Sequence, residues 1–221
     1  MQIEKRILPN FGVLDVSLEK IHLDHLYHLI EKYEPDCLQQ QWMLVDDDHR
    51  FKKEVLDEAI KYYISEWGFP TRLKSTHIHD LTFQKFWVNS TEVGQYQALH
   101  NHDAVFSFVV WLKIPHNSTE EQKIPDTMHP EAGDFILTYS DITGKHCKCN
   151  WKLEKEFNEG HMLIFPSELF HAVYPHFLTT DKRISVAGDI ALNSNKVMDI
   201  YDQGMLLGPE NSQEFIKEIH N

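Results

Sequence analysis

The run His100-Asn101-His102-Asp103-Ala104-Val105-Phe106-Ser107-Phe108-Val109-Val110-Trp111-Leu112 joins a pair of histidines to a long apolar segment. We predict a strand over Val105–Ile114, because β-branched and aromatic residues dominate it. Residues two apart in a strand point to the same side, so His100 and His102 can reach one point. Imidazole is a good ligand for Fe(II), and two imidazoles at this spacing can bind one metal ion.

The sequence around this segment consists of short β-rich runs separated by polar breaks. Eight short strands with irregular loops indicate a sandwich, a jelly roll or a barrel. The polar, turn-rich segment Pro115–Gly133 is predicted to be a long loop at the rim. Beside the strand at Val105–Ile114 we predict strands near Leu81–Asn89, Tyr96–His100, Asp134–Tyr139, Trp151–Lys155, His161–Phe165, Ala172–Pro175 and Ile184–Leu192.

The chain before Pro70 has helical periodicity instead. Apolar residues recur every three to five positions between Ser17 and Tyr33, which predicts one amphipathic helix. An apolar stripe from Val55 to Trp67 predicts a second helix over about Phe51–Trp67, and Gly68 and Pro70 just beyond it are stop signals.

The length of 221 residues and the hydrophobic fraction of 42% suit one domain with one sizeable core. We therefore expect a single domain over residues 1–221. It is divided into a helical N-terminal part (1–70), a barrel core (71–195) and a C-terminal tail (196–221). The tail is expected to add a short helix near Glu214–His220.

The formal net charge of −13 argues against a nucleic-acid or anionic membrane partner. No stretch approaches the roughly 18 apolar residues of a membrane span, and no signal-peptide pattern follows Met1, so a cytoplasmic protein is expected. Cys37, Cys147 and Cys149 are too few for a disulfide framework. Cys147 and Cys149 share a strand face, and a zinc site there is the less favoured reading.

Two further motifs follow the histidine pair along the chain. In the first, the turn-and-strand run Gly160–Pro166 leads to His171, which can complete a three-ligand metal site from an opposite strand. The second is Arg183-Ile184-Ser185. The planar guanidinium of Arg183 suits a carboxylate, and Ser185 points to the same side with a hydroxyl donor.

These motifs, in this order, resemble the core of the 2-oxoglutarate/Fe(II)-dependent oxygenase superfamily between Tyr96 and Ile190. The resemblance is closest to the oxygenases of marine bacteria and their phages. It implies a mainly β fold with N-terminal helices, built as a double-stranded β-helix, that is, a jelly-roll or cupin-like barrel. It also implies that Fe(II) and 2-oxoglutarate are the cofactors.

The resemblance further implies which residues form the site. His100, His102 and His171 would bind Fe(II), although most of the superfamily has Asp or Glu at the position of His102. Asp103 is the alternative ligand, if a β-bulge turns it inward. For 2-oxoglutarate, Arg183 and Ser185 would hold the distal carboxylate, and the other expected contacts are Trp111, Asn89 and Tyr96.

The reaction implied is an oxidative decarboxylation of 2-oxoglutarate by O₂ coupled to hydroxylation of a small-molecule or peptidyl substrate. Two alternatives stay open at this point. One is a cupin-like three-histidine dioxygenase that needs no 2-oxoglutarate, and the other is a barrel that binds metal or ligand without turnover. A homodimer through exposed edge strands or the C-terminal tail is also open.

Overall fold

The computed structural model describes residues 11–35, 39–68, 70, 81–124 and 130–193. In this part of the chain, antiparallel strands form a six-stranded sheet in the order β1-β8-β5-β10-β3-β2 and a four-stranded sheet in the order β4-β9-β6-β7. Facing each other, the sheets make the double-stranded β-helix. The strands are β1 (Leu14–Ser17), β2 (Gln41–Met43), β3 (Leu81–Thr91), β4 (Gln97–His100), β5 (Phe106–Lys113), β6 (Phe135–Ser140), β7 (His146–Trp151), β8 (His161–Pro166), β9 (Phe170–Val173) and β10 (Arg183–Leu192).

Two longer helices, α1 (Lys20–Tyr33) and α2 (Asp57–Trp67), cover the outer face of the six-stranded sheet, and α2 is entered through the π-helical turn Lys52–Leu56. Short helices follow at α3 (Ser118–Glu121) and α4 (Lys155–Asn158). None of the described helices is both long and apolar enough to cross a membrane.

The central strand β5 separates two apolar cores, which explains its unbroken apolar sequence. Phe108 and Val110 pack outward in the core formed with the helices. Val109 and Trp111 point the other way and pack between the two sheets. Burial of such side chains contributes roughly 1.5–3 kcal/mol each, so both faces of β5 stabilise the barrel.

The structure corrects several predicted boundaries. The strands β1 and β2 lie in the part that was predicted to be helical. They were not predicted, because their three or four residues carry no clear periodicity. The strand predicted at Trp151–Lys155 is wrong: the strand is His146–Trp151, and a helical turn begins at Lys155. Since β7 is a largely exposed edge strand, it shows no apolar alternation.

Two other expectations are affected as well. The loop predicted over Pro115–Gly133 contains the helical turn α3. The helix expected near Glu214–His220 lies outside the described residues.

Candidate metal centre and anion pocket

The register of the six-stranded sheet aligns polar residues of separate chain segments in one row. Trp111, Ser185, Asn89 and Gln41 lie opposite one another on the neighbouring strands β5, β10, β3 and β2. Because directly opposed residues share a face, all four side chains lie on the inner side of the sheet. On the four-stranded sheet, His171 of β9 lies opposite His100 of β4.

These inner faces enclose a cavity of about 410 Å³. Its lining includes the three predicted metal-binding histidines, Arg183, Ser185, Trp111 and Asn89. The volume lies within the range of small-molecule sites, which run from roughly 300 to 1,000 Å³.

The three histidines converge at one side of this cavity. Each of His100, His102 and His171 contributes one ring nitrogen to a cluster in which the three nitrogens lie within 4.8 Å of one another. The ring centroids of His100 and His171 are 4.3 Å apart, and each ring lies 5.1 Å from that of His102. Such a cluster can hold a divalent metal ion if the facing nitrogens carry lone pairs.

Each of the three rings has its Nδ1 atom engaged by an oxygen that can only accept a hydrogen bond. His100 Nδ1 lies 2.6 Å from the carbonyl oxygen of Ala98, and His171 Nδ1 lies 3.0 Å from that of Leu169. His102 Nδ1 lies 2.9 Å from Oδ2 of Asp189. A neutral imidazole that donates from Nδ1 presents its lone pair at Nε2, as a metal ligand must.

Protonation does not compete with metal binding at the most buried of these rings. Burial lowers the pKa of His171 to about 4, so this imidazole is neutral at pH 7.

Asp189 lies directly behind His102 and is only 1% exposed. Its second oxygen accepts a hydrogen bond of 2.7 Å from the hydroxyl of Ser107, which lies 3.0 Å from the hydroxyl of Ser167. The carboxylate thereby fixes the tautomer and the orientation of the His102 ring. The sequence prediction missed Asp189, although it is in phase with Arg183 and Ser185 on β10.

Asp103, the alternative ligand, takes a different position. Its side chain is exposed and belongs neither to the histidine cluster nor to the cavity lining. The backbone N–H of His102 donates to the carbonyl oxygen of Ser167 at 2.9 Å, and the ring of His102 faces the other two histidines.

Arg183 is a buried cation in the cavity wall, with an exposed fraction of 2%. Among the described residues, its Nη1 and Nη2 atoms approach only the carbonyl oxygen of Tyr174, each at 3.4 Å. The acidic residues that flank Arg183 in the sequence pair elsewhere: Asp181 with Lys113 at 3.5 Å and Asp189 with His102. Within the described part of the chain, Arg183 therefore forms no ion pair that would give it a purely structural role.

Burial lowers the pKa of Arg183 to about 10, so the guanidinium keeps its charge at pH 7. A buried charge without a counter-charge is costly unless a ligand supplies one. The wall formed by Arg183 and Ser185 is thus suited to a carboxylate.

The remaining predicted contact residues divide into two groups. Asn89 and Trp111 line the cavity. Tyr96 does not: it is 52% exposed and packs edge-on against Tyr174, at 5.2 Å between ring centroids. The cavity lining also includes residues that were not predicted, among them Gln41, Trp87 and Gln97.

Residues 85–189, just under half of the chain, match the model of a family described as "Putative 2OG-Fe(II) oxygenase". The matched segment contains all the cavity-lining residues named above except Gln41. No curated protein matches the chain in sequence.

Solved structures share the fold at low sequence identity. An oxidoreductase of the 2OG-Fe(II) oxygenase family from Burkholderia pseudomallei is 12% identical with a TM-score of 0.50, covering 81% of this chain and 84% of its own. HygX from Streptomyces hygroscopicus, solved with nickel and 2-oxoglutarate bound, is 12% identical (TM-score 0.48, 83% of each chain). A prolyl-4-hydroxylase from Pseudomonas putida is 13% identical (TM-score 0.46, 82% of this chain and 88% of its own).

Proposed function

We propose that this chain, a 2OG-Fe(II) oxygenase by its family match, binds Fe(II) through His100, His102 and His171 and hydroxylates its substrate. Its cofactors are Fe(II) and 2-oxoglutarate, and O₂ and a second substrate are its partners in the reaction. The observation that carries the proposal is the convergence of three histidine nitrogens within 4.8 Å of one another.

The donor set fits Fe(II). Imidazole nitrogen is an accepted ligand for this ion, and the Nδ1 contacts of all three rings leave Nε2 free to bind it. The site lacks the coordinating carboxylate found in most of the superfamily. The carboxylate of Asp189 is hydrogen-bonded to His102, so the negative charge nearest the metal would contact a metal ligand and not the metal itself.

The two ends of the cavity suit the two ends of 2-oxoglutarate. Arg183 and Ser185 hold the distal carboxylate, with Trp111 and Asn89 beside Ser185 in the same row of the sheet. The keto-acid end is left for the metal. When bound, Fe(II) and 2-oxoglutarate supply the oxidising chemistry: O₂ and the keto acid give succinate and CO₂, and one oxygen atom enters a substrate C–H bond.

The protein's own residues orient and enclose this chemistry. The acceptors behind the three rings hold the ring planes, and the walls formed by Trp111 and other buried side chains exclude water from the cavity. A three-histidine dioxygenase without 2-oxoglutarate is not favoured, because it would have no use for the buried charge of Arg183.

Two substitutions separate the two binding functions. We expect His171→Ala to abolish tight Fe(II) binding, because it removes one of three ligands. We expect Arg183→Ala to leave Fe(II) binding intact and to weaken 2-oxoglutarate at least tenfold, since one charge-assisted bidentate contact is lost. Anaerobic titration calorimetry measures both affinities.

Lys113→Ala is the matched control, because this cation on β5 is exposed and lies outside the cavity. It should change neither affinity. Unchanged Fe(II) binding in His171→Ala would refute the metal site, and equal loss of both ligands in Arg183→Ala would make Arg183 a structural residue.

From the sequence we further propose a single domain over residues 1–221, a cytoplasmic location and a homodimer. The substrate is proposed to be a small molecule or a peptidyl side chain.

A further inference from the structure

A group of uncharged polar residues lines the cavity apart from the cofactor contacts. The ionisable residues of the lining already have roles: the three histidines face one another, Asp189 engages His102, and Arg183 faces the carboxylate site. The other lining residues are uncharged, and three of them, Gln41, Trp87 and Gln97, contact Asn89, which is one of the proposed cofactor contacts.

These residues are organised around the side-chain oxygen of Asn89. Asn89 Oδ1 accepts a hydrogen bond of 3.1 Å from Gln41 Nε2 and one of 3.2 Å from Trp87 Nε1. Gln97 Nε2 approaches the same oxygen at 3.5 Å. Within the described part of the chain, the Oε1 atoms of Gln41 and Gln97 have no hydrogen-bond partner, so both remain available to a ligand.

The two glutamines lie where the barrel is open. Gln41 belongs to β2, the edge of the six-stranded sheet, and Gln97 belongs to β4, the edge of the four-stranded sheet. Both line the same cavity, and the side chain of Gln41 is exposed. We call Gln41, Trp87 and Gln97 the amide rim.

The Trp87 end of the amide rim lies beside the metal site and at a distance from Arg183. The Trp87 ring lies 5.8 Å from the His102 ring, with 24° between the two planes. On β10, Trp87 lies opposite Ala187, whereas Thr91 lies opposite Arg183, so the two positions are four residues apart along β3. A substrate group stacked on Trp87 is thus next to the histidines and away from the Arg183 guanidinium, while Gln41 and Gln97 contact Asn89 at the border of the cofactor pocket.

We propose that the amide rim selects an uncharged substrate that carries a carboxamide, a proposal that rests on the oxygenase function above. The flat amide lies against Trp87, and its N–H group donates to a glutamine Oε1. A carboxamide offers both a donor and an acceptor, which matches a rim made of carboxamides. A carboxylate or an ammonium group would lose its hydration without finding a counter-charge, so it is rejected.

Three blocked amino acids test this selection: the Nα-acetyl methyl esters of glutamine, glutamate and lysine, of which only the first carries a primary carboxamide. They have the same backbone and differ in the charge of the side chain. The readout is succinate formed above the rate without probe, in the Fe(II)-loaded protein with saturating 2-oxoglutarate. We expect the glutamine probe to raise succinate formation at least tenfold more than the two charged probes.

Gln97→Glu and Gln41→Glu place a negative charge on the rim, and each should move the preference to the lysine probe. Gln95→Glu is the matched control, because Gln95 lies two residues from Gln97 but outside the cavity lining. It should keep the preference for the glutamine probe.

The possible failures are distinguishable. If 2-oxoglutarate binds and is turned over but the glutamine probe gives no advantage over the charged probes, the amide rim does not select carboxamides. An unchanged preference in both glutamate variants overturns the proposal as well. If the protein fails to bind 2-oxoglutarate at all, the oxygenase function fails first, before any probe is added.

Discussion

Asp189 is the residue whose role is most sharply testable. It has one oxygen toward His102 Nδ1 and the other toward Ser107, and it is almost fully buried. Asp189→Asn keeps an acceptor for His102 but removes the charge. We expect the Fe(II) affinity to fall by about 10- to 100-fold, as for other partners that orient metal ligands.

Anaerobic titration calorimetry measures this loss, and circular dichroism checks that the variant is folded. Ser185→Ala, which changes the carboxylate side of the cavity, should keep the Fe(II) affinity and thus serves as control. An Asp189→Asn protein that binds Fe(II) as tightly as the unchanged chain would mean that the carboxylate has no influence on the metal.

Individual site residues could be predicted where one rule governs them. Strand alternation pairs Arg183 with Ser185, and both line the cavity. His100 and His102 also line it together, although β4 ends at His100 and His102 lies just beyond the strand. Tyr96 was expected in the cavity lining for its place in the sequence alone, and it lies outside. Gln41 was missed because its contact with Asn89 depends on the pairing of β2 with β3, which no local pattern announces. Trp87 was missed because its contact with the His102 ring joins segments that are distant in the fold's strand order.

On β10, Gly188 lies between the cavity and the core that the sheet forms with the helices. A Cβ atom at Gly188 would lie 2.6 Å from the Phe108 ring and 2.9 Å from the carbonyl oxygen of Lys85. Gly188→Ala therefore overpacks the centre of the six-stranded sheet, and we expect a loss of about 1–3 kcal/mol in the free energy of unfolding.

Urea unfolding measures this loss. Because Phe108 causes the closest clash, Phe108→Leu in the Gly188→Ala background should recover part of the stability, as a double-mutant cycle can show. Additive effects of the two substitutions would contradict the packing argument.

Among the elements, those with a strong repeating pattern could be predicted. The helices α1 and α2 bury one regular face, so their periodicity is visible in the sequence. The strands β5 and β10 are buried on both faces and are visible as runs rich in apolar residues. β1 and β7 lie at sheet edges, where every side chain is half-buried or exposed; β1 was missed, and the bounds predicted for β7 were displaced.

The whole molecule should be sensitive to acid, because it buries neutral histidines besides those of the metal site. The rings of His116 and His176 stack at 5.0 Å between centroids. Burial, and next the charge of Arg183, lower the pKa of His116 to about 3, and burial also lowers the pKa of His176. The unfolded chain binds protons at these rings near pH 6.5, while the folded chain does not.

The stabilising effect of the neutral rings is therefore complete above pH 6.5 and is lost as the pH falls toward 3. Each ring contributes a slope of up to about 1.4 kcal/mol per pH unit. We expect His116→Gln to reduce the decline in the free energy of unfolding between pH 6.5 and 5, measured by urea unfolding of the iron-free protein. An unchanged slope would show that His116 takes up its proton equally well in the folded state.

The central claim is that one cavity holds Fe(II) and 2-oxoglutarate together, with Arg183 as the clamp for the co-substrate. The most direct measurement is the visible spectrum of the anaerobic Fe(II)-loaded protein during titration with 2-oxoglutarate. Chelation of the metal by the keto acid should produce a weak charge-transfer band, which Arg183→Gln loses at the same 2-oxoglutarate concentration and Lys113→Gln keeps. If Fe(II) binds but no band appears at any 2-oxoglutarate concentration, the claim is contradicted.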